Sequence, residues 1–270
     1  MSYVKNYDVG ITRIDNTYKH YVHELPLLSF GDARNTFNLS LVFHSGLTSN
    51  PFHIANGYKL NIQKRIIFAG NVPQSYEDGY GTLVTLNKFG DKYAFDDGSQ
   101  RIIRLINGQY VLENPDYSTE TFDPSGNILL VKDKYSNTIL SYVYYSGKLV
   151  LVTYKGKKSL IIGYSNNAIA HINYTHSNST FRTTFSHSDN SLTVSHYSGV
   201  DYHFTSVFAD TTTLEVYSTN PGEAFSNIYS HKNTAMEGND SITIENFIGN
   251  KEINRMYYER QGTVLCLEDI

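Results

Sequence analysis

Residues 122–172 read FDPSGNILLVKDKYSNTILSYVYYSGKLVLVTYKGKKSLIIGYSNNAIAHI. Phe122, Tyr144 and Tyr164 each end an alternating run, and each is followed by a polar turn: Pro124 to Asn127, Ser146 to Lys148, and Asn166-Asn167. A short second run follows, with apolar residues three apart: Ile128 and Val131, Leu149 and Val152, Ile169 and Ile172. The period is roughly twenty residues, a length at which repetition usually means a repeated supersecondary unit. A strand, a Gly/Asn turn and a second strand make a β-hairpin. One such hairpin cannot bury its apolar face alone, so the pattern predicts hairpins stacked on their neighbours.

The same rhythm extends outward. Strands are predicted over 38–44, 57–62 with 65–68, 82–86, 92–95, 109–113 and 119–122, and beyond the repeat over 180–185, 191–196, 201–208 and 212–217. Runs at 241–245, 255–259 and 262–267 finish the chain, whereas 3–28 is polar and aromatic with weak alternation. No segment holds a helical period. The predicted fold is all-β: consecutive antiparallel hairpins forming a curved, twisted meander sheet. It is expected as one continuous body over 1–270, with an entry segment at 1–70 and hairpin repeats at 71–270, clearest at 116–172.

Composition agrees. The 270 residues hold 23 Tyr, 14 Phe and no Trp, and Tyr packs its ring while its hydroxyl stays wet. A net charge of −4, evenly spread, advertises neither nucleic acid nor an anionic membrane as partner. A single cysteine, Cys266, excludes an internal disulfide and a cysteine-based metal site. MSYVKNYDVG has no apolar core, so no export signal is expected in this chain, and no apolar run is long enough for a membrane-spanning helix.

Two regions carry a family resemblance. Leu25-Pro26-Leu27, then NLSLVFHSG, then Asn56-Gly57-Tyr58-Lys59-Leu60-Asn61 resembles the entry segment of RHS/YD-repeat proteins, with Tyr58 where the family usually has Trp. Gly90 to Phe95 is similar to the family's G-x-x-Y-x-F strand, and Gly199 to Phe204 repeats it. Asp116 to Asp123 looks like its D-G-T-x-x-x-F-D phrase, and Asp133 to Ile139 like its D-x-x-G-N-x-I turn, with Ser136 in place of glycine. Tyr257 to Leu265 reads as a further copy. The resemblance implies a slice of a spiral β-shell that encloses or presents a cargo domain, at the cell surface or outside it. The implied partners are further repeats or a C-terminal cargo domain of a larger polypeptide, or other copies joined through open sheet edges.

Candidate chemistry is thin. His171, His176, His187, His196 and His203 crowd one stretch, and His20 and His23 sit near the start, without zinc-motif spacing. His196 and His203 flank Gly199, so they could face each other across a hairpin. Ser186-His187-Ser188-Asp189 lacks a nucleophile elbow, and adjacent strand residues alternate faces. Glu77-Asp78-Gly79 and Asp96-Asp97-Gly98 read as turns, Gly79-Tyr80-Gly81 as too short for a phosphate loop, and Lys155 to Lys158 as a solvated tip. Asn38, Asn173, Asn178 and Asn239 head glycosylation sequons. No catalytic residue, metal site or cofactor is expected. A scaffold is the expected function. The alternative is a surface module that binds glycan or protein through Tyr142, Tyr144, Tyr145 and Tyr164.

Overall fold

A computed structural model describes residues 2–6, 10–15, 20–32, 35–47, 49–176, 179–188, 191–208, 211–219, 225–234, 239–248, 251–261 and 264–268, and the side-chain surroundings of most of those between 20 and 216. Among them every regular element is a strand, and within each of two sheets successive strands pair antiparallel; Tyr58–Leu60 ends the first sheet and does not pair with Arg65–Ala69, which belongs to the second. The hairpin meander predicted from 122–172 is therefore the architecture. No helix among the described residues is long and apolar enough to cross a membrane.

The chain forms two compact units. One comprises 1–59, 165–171 and 182–270, the other 60–164 and 172–181. In the second unit, strands Arg65–Ala69, Val72–Glu77, Leu83–Phe89, Lys92–Phe95, Ile102–Ile106, Gln109–Glu113, Thr119–Phe122, Ile128–Lys132, Thr138–Tyr145, Lys148–Tyr154 and Lys158–Ser165 follow one another as successive neighbours. Inward positions supply its core: Ile66, Tyr76, Ile103, Leu112, Phe122, Ile128, Leu149 and Val152 are buried.

The apolar spacing of three has a physical cause. Leu149 pairs with Tyr144 and Leu151 with Val143, so Val150 has no partner and forms a bulge. The extra residue flips the alternation, so Leu149 and Val152 both turn inward, at 2% and 1% exposure. Gln74 does the same between Pro73 and Tyr76, and Leu129 is skipped just after Ile128. Pro73 is tolerated beside its bulge because the ladder is already interrupted there. Bulges placed just after hairpin turns add local bend and twist to each unit.

Two kinds of turn recur between the strands. The first is a two-residue loop: Asn107-Gly108, Ser146-Gly147 and Asn166-Asn167 have both residues at positive φ, the geometry that matches strand twist. The second is a five-residue loop anchored by its first residue. In 123–127, Asp123 N–H donates to Asn127 O and Gly126 N–H to Asp123 O, both at 2.9 Å. Asp123 Oδ1 accepts from Ser125 and Asn127 N–H at 2.8 and 2.9 Å. The same wiring recurs at 78–82 and 133–137. Turns 114–118 and 196–200 repeat its backbone bonds.

Alternate turns of a meander lie at the same end of the sheet. Loops 78–82, 114–118 and 133–137 therefore share one end, and the tight turns at 107–108 and 146–147 share the other. The five-residue loop 123–127 is the exception, standing among the tight turns. It is also a tertiary contact: Ile66 N–H donates to Gly126 O at 2.9 Å, and a Cβ on Gly126 would lie 2.0 Å from Ile66 O. Gly126 (φ 89°) is thus required by both conformation and close approach.

In the first unit, Ser2–Asn6, Gly10–Asp15, His20–Asp32, Asn35–His44 and Tyr58–Leu60 form a five-stranded sheet. Tyr21 to Leu25 and Leu39 to Ser45 are buried without alternation, so this sheet is covered on both faces there. Rings join the sheet to the later strands of the same unit. Phe43 lies 5.0 Å from Tyr58 and 5.8 Å from Phe208, and Tyr58 lies 5.9 Å from Phe204.

Candidate functional site

The four tyrosines singled out from sequence do not share one open surface. Tyr142 (6% exposed) pairs with buried Val152, and Tyr144, two residues on in the same unbulged stretch, shares its inner side. Tyr164 follows the phase of buried Leu160 and Ile162, and its hydroxyl donates to Leu149 O at 2.8 Å. Burial pushes the Tyr164 hydroxyl up to about 12 and that of Tyr144 higher still. Tyr145, on the opposite side, is 75% exposed. Alternation explains the split, and it removes Tyr142 from any stacking surface.

The histidines are spread over separate jobs. His203 stands opposite Thr193 in the strand register, with Nδ1 3.1 Å from Thr193 Oγ1, so it does not face His196. His196 instead takes the anchor position of the loop 196–200. Its Nε2–H donates to Leu27 O at 2.7 Å, leaving Nδ1 to accept from Ser198 N–H at 3.3 Å. His23 packs edge-on against Phe204 at 6.1 Å, and His20 lies 5.1 Å from His44. Burial first, then the Arg182 charge, lowers the pKa of His171. The side chain of His176 lies outside the described residues. Among the described residues no group of three or more His, Cys, Asp or Glu gathers as metal ligands would.

Of Ser186-His187-Ser188-Asp189, Asp189 lies outside the described residues, and His187 Nε2–H is spent on Ile169 O at 2.7 Å. His187 and Ser188 do border a cavity of about 270 Å³ in the first unit, with Asn50, Tyr58, Ser206 and Phe208. The Tyr58 hydroxyl is fully buried there, which pushes its pKa up. The Ser206 hydroxyl alongside restrains that rise without completing a well-formed hydrogen bond. No carboxylate, lysine or arginine is among the lining residues, and the imidazole there, His187, has its Nε2–H on Ile169 O, so the cavity suits a small neutral molecule.

Of the carboxylates read as turn residues, Asp78 and Asp97 serve their own backbone, whereas Glu77 ends the strand Val72–Glu77 and Asp96 Oδ1 accepts from Asn87 Nδ2 at 3.3 Å. Asp78 and Asp97 accept neighbouring N–H groups, and Asp97 also pairs with Arg101. Gly79 is a close backbone approach, its absent Cβ falling 2.1 Å from Asn61 O. Lys155 Nζ lies 5.3 Å from the Tyr154 ring. Of the sequon residues, Asn38 accepts from Ser29 Oγ at 2.8 Å, Asn173 is half-buried, and Asn178 and the Asn239 side chain lie outside the described residues.

Two buried carboxylates hold ion pairs that no sequence motif marks. Glu120, nearly inaccessible, pairs with Lys64 and accepts from the Tyr76 hydroxyl at 3.1 Å. Fully buried Glu77 takes Arg65 Nε at 2.8 Å. Arg101 lies 4.0 Å from the Phe95 ring centre. Burial first, then the Glu120 charge, holds the Tyr76 and Tyr142 hydroxyls well above their usual range, so neither exchanges a proton near neutrality. One signal was available: in Thr119-Glu120-Thr121-Phe122 the acid shares the inward phase of Phe122. No family model matches this chain, and no curated protein matches it.

Proposed function

We propose that the chain is a non-catalytic scaffold, a segment of an RHS/YD-repeat-type β-shell that encloses or presents a cargo domain. Its partners on this reading are further repeats, a cargo domain of a larger polypeptide, or other copies joined edge to edge, outside the cell or at its surface. The observation that supports it is that the same parts recur along the meander: two-residue tight turns, strands bulged just after a turn, and five-residue loops anchored by their first residue. The carboxylates at these loops are engaged in hydrogen bonds that shape the backbone, the economy expected of a repeat whose work is architecture. The second reading, a surface module binding glycan or protein through tyrosine, is favoured by one observation, the 75% exposure of Tyr145.

Two substitutions separate the readings. Tyr142→Ala empties a buried site and should cost about 3–5 kcal/mol in urea denaturation. Tyr145→Ala should change stability by no more than about 0.5 kcal/mol. The scaffold reading expects assembly to fail with Tyr142→Ala and to survive Tyr145→Ala. A folded Tyr145→Ala protein that has lost a partner would favour the binding module.

A further inference from the structure

At the fourth position of each five-residue loop the chain enters the left-handed region. Glycine stands there in three loops, as Gly81 (φ 89°), Gly126 (φ 89°) and Gly199 (φ 88°), and Ser136 (φ 66°) in a fourth. In 114–118 the residue is Tyr117, at φ 66°. A bulky side chain in this conformation is a genuine outlier, since its Cβ crowds the following carbonyl. Packing does not offset that crowding, because Tyr117 is 82% exposed. Strain retained with no packing return points to a role outside stability.

The surroundings indicate the role. Asn114 N–H donates to Ser118 O and Tyr117 N–H to Asn114 O, both at 2.9 Å, while Asp116 Oδ1 accepts from the Ser118 N–H and hydroxyl. The ring is thus carried on a firmly bonded loop. It borders an open cavity of about 470 Å³ with Gln100, Ile102, Glu113, Asn114 and Thr119. Glu113 is paired with Arg104, so its charge is met within the protein. What else faces the cavity is an aromatic platform, the apolar side chains of Ile102 and Pro115, the Gln100 amide, the Asn114 amide, whose Nδ2 donates to Ser118 Oγ at 3.1 Å, and the Thr119 hydroxyl. That set suits a neutral polyhydroxylated ring, whose C–H face lies on the aromatic while its hydroxyls bond the amides. The volume falls within the range of small-molecule sites.

We infer that Tyr117 and this cavity form a saccharide-binding site for a neutral pyranose unit, an activity independent of the scaffold reading. The test uses the full chain with cellohexaose, mannohexaose and chitohexaose as probes, followed by saturation-transfer NMR and by calorimetric titration. At least one should bind. Tyr117→Phe should bind within about threefold of the parent chain, since the platform is kept, and Tyr117→Gly at least tenfold more weakly. In thermal melts Tyr117→Gly should unfold at a higher temperature than the parent chain, because it relieves the left-handed strain. Ser136→Gly should also melt higher, with binding unchanged. The inference is overturned if no probe binds, if Tyr117→Gly binds like the parent chain, or if Tyr117→Gly melts lower, which would assign the ring to the fold.

Discussion

Asp133 shows how much of this protein is decided by single turn residues. Its carboxylate accepts from the Asn137 side chain and from Tyr135 and Asn137 N–H. These bonds, the Asn137 side chain first, hold its pKa below the usual value, and the Ser118 hydroxyl does the same for Asp116. A carboxyl depressed in the folded state contributes stability above its unfolded pKa, and that contribution is lost as pH falls through the folded value. The urea midpoint should therefore drop between about pH 6 and about pH 2.5, and Asp133→Asn should make the drop smaller. An unchanged drop would mean that Asp133 does not carry the turn. The Asp-to-Asn phrase of this loop was legible in sequence, and Ser136 at φ 66° fills the glycine position it implied. The placing of Tyr142 was not legible, because alternation divides Tyr142 and Tyr144 from Val143 and Tyr145 without showing which of the two faces is covered.

Among elements, the hairpins were the most readable feature. Lys92–Phe95, Gln109–Glu113 and Thr119–Phe122 fall where alternation and turn residues placed them. Val72–Glu77 escaped because Pro73 and a bulge break its alternation, and Tyr21 to Leu25 looked weakly patterned because both faces of that strand are buried. Apolar residues three apart just after a turn mark a bulge at Ile128 and Val131 and at Leu149 and Val152. The strand Thr119–Phe122 also carries the ionic cluster through Glu120, and it makes a prediction of its own. Lys64→Met leaves a nearly inaccessible carboxylate without its cation and should cost about 3 kcal/mol in urea denaturation. Adding Glu120→Gln should recover part of that loss, since the amide oxygen still accepts from the Tyr76 hydroxyl and no unpaired charge remains. If the double variant is no more stable than Lys64→Met, the pair does not act as a unit.

At the scale of the whole molecule, the chain is a meander of antiparallel hairpins in two compact units, with anchored loops and tight turns largely kept to opposite ends of the second. All-β architecture was legible because turn residues recur at short, even spacing. The candidate sites were not, because a cavity depends on which loops neighbour one another and on φ values that residue identity alone does not reveal. The central claim is that this body serves as part of a larger β-shell. Its most direct test is the intact mass of the endogenous product, immunoprecipitated from its source cells. A shell segment should belong to a polypeptide far larger than the 30.6 kDa of this chain. A product of 30.6 kDa would contradict the shell reading.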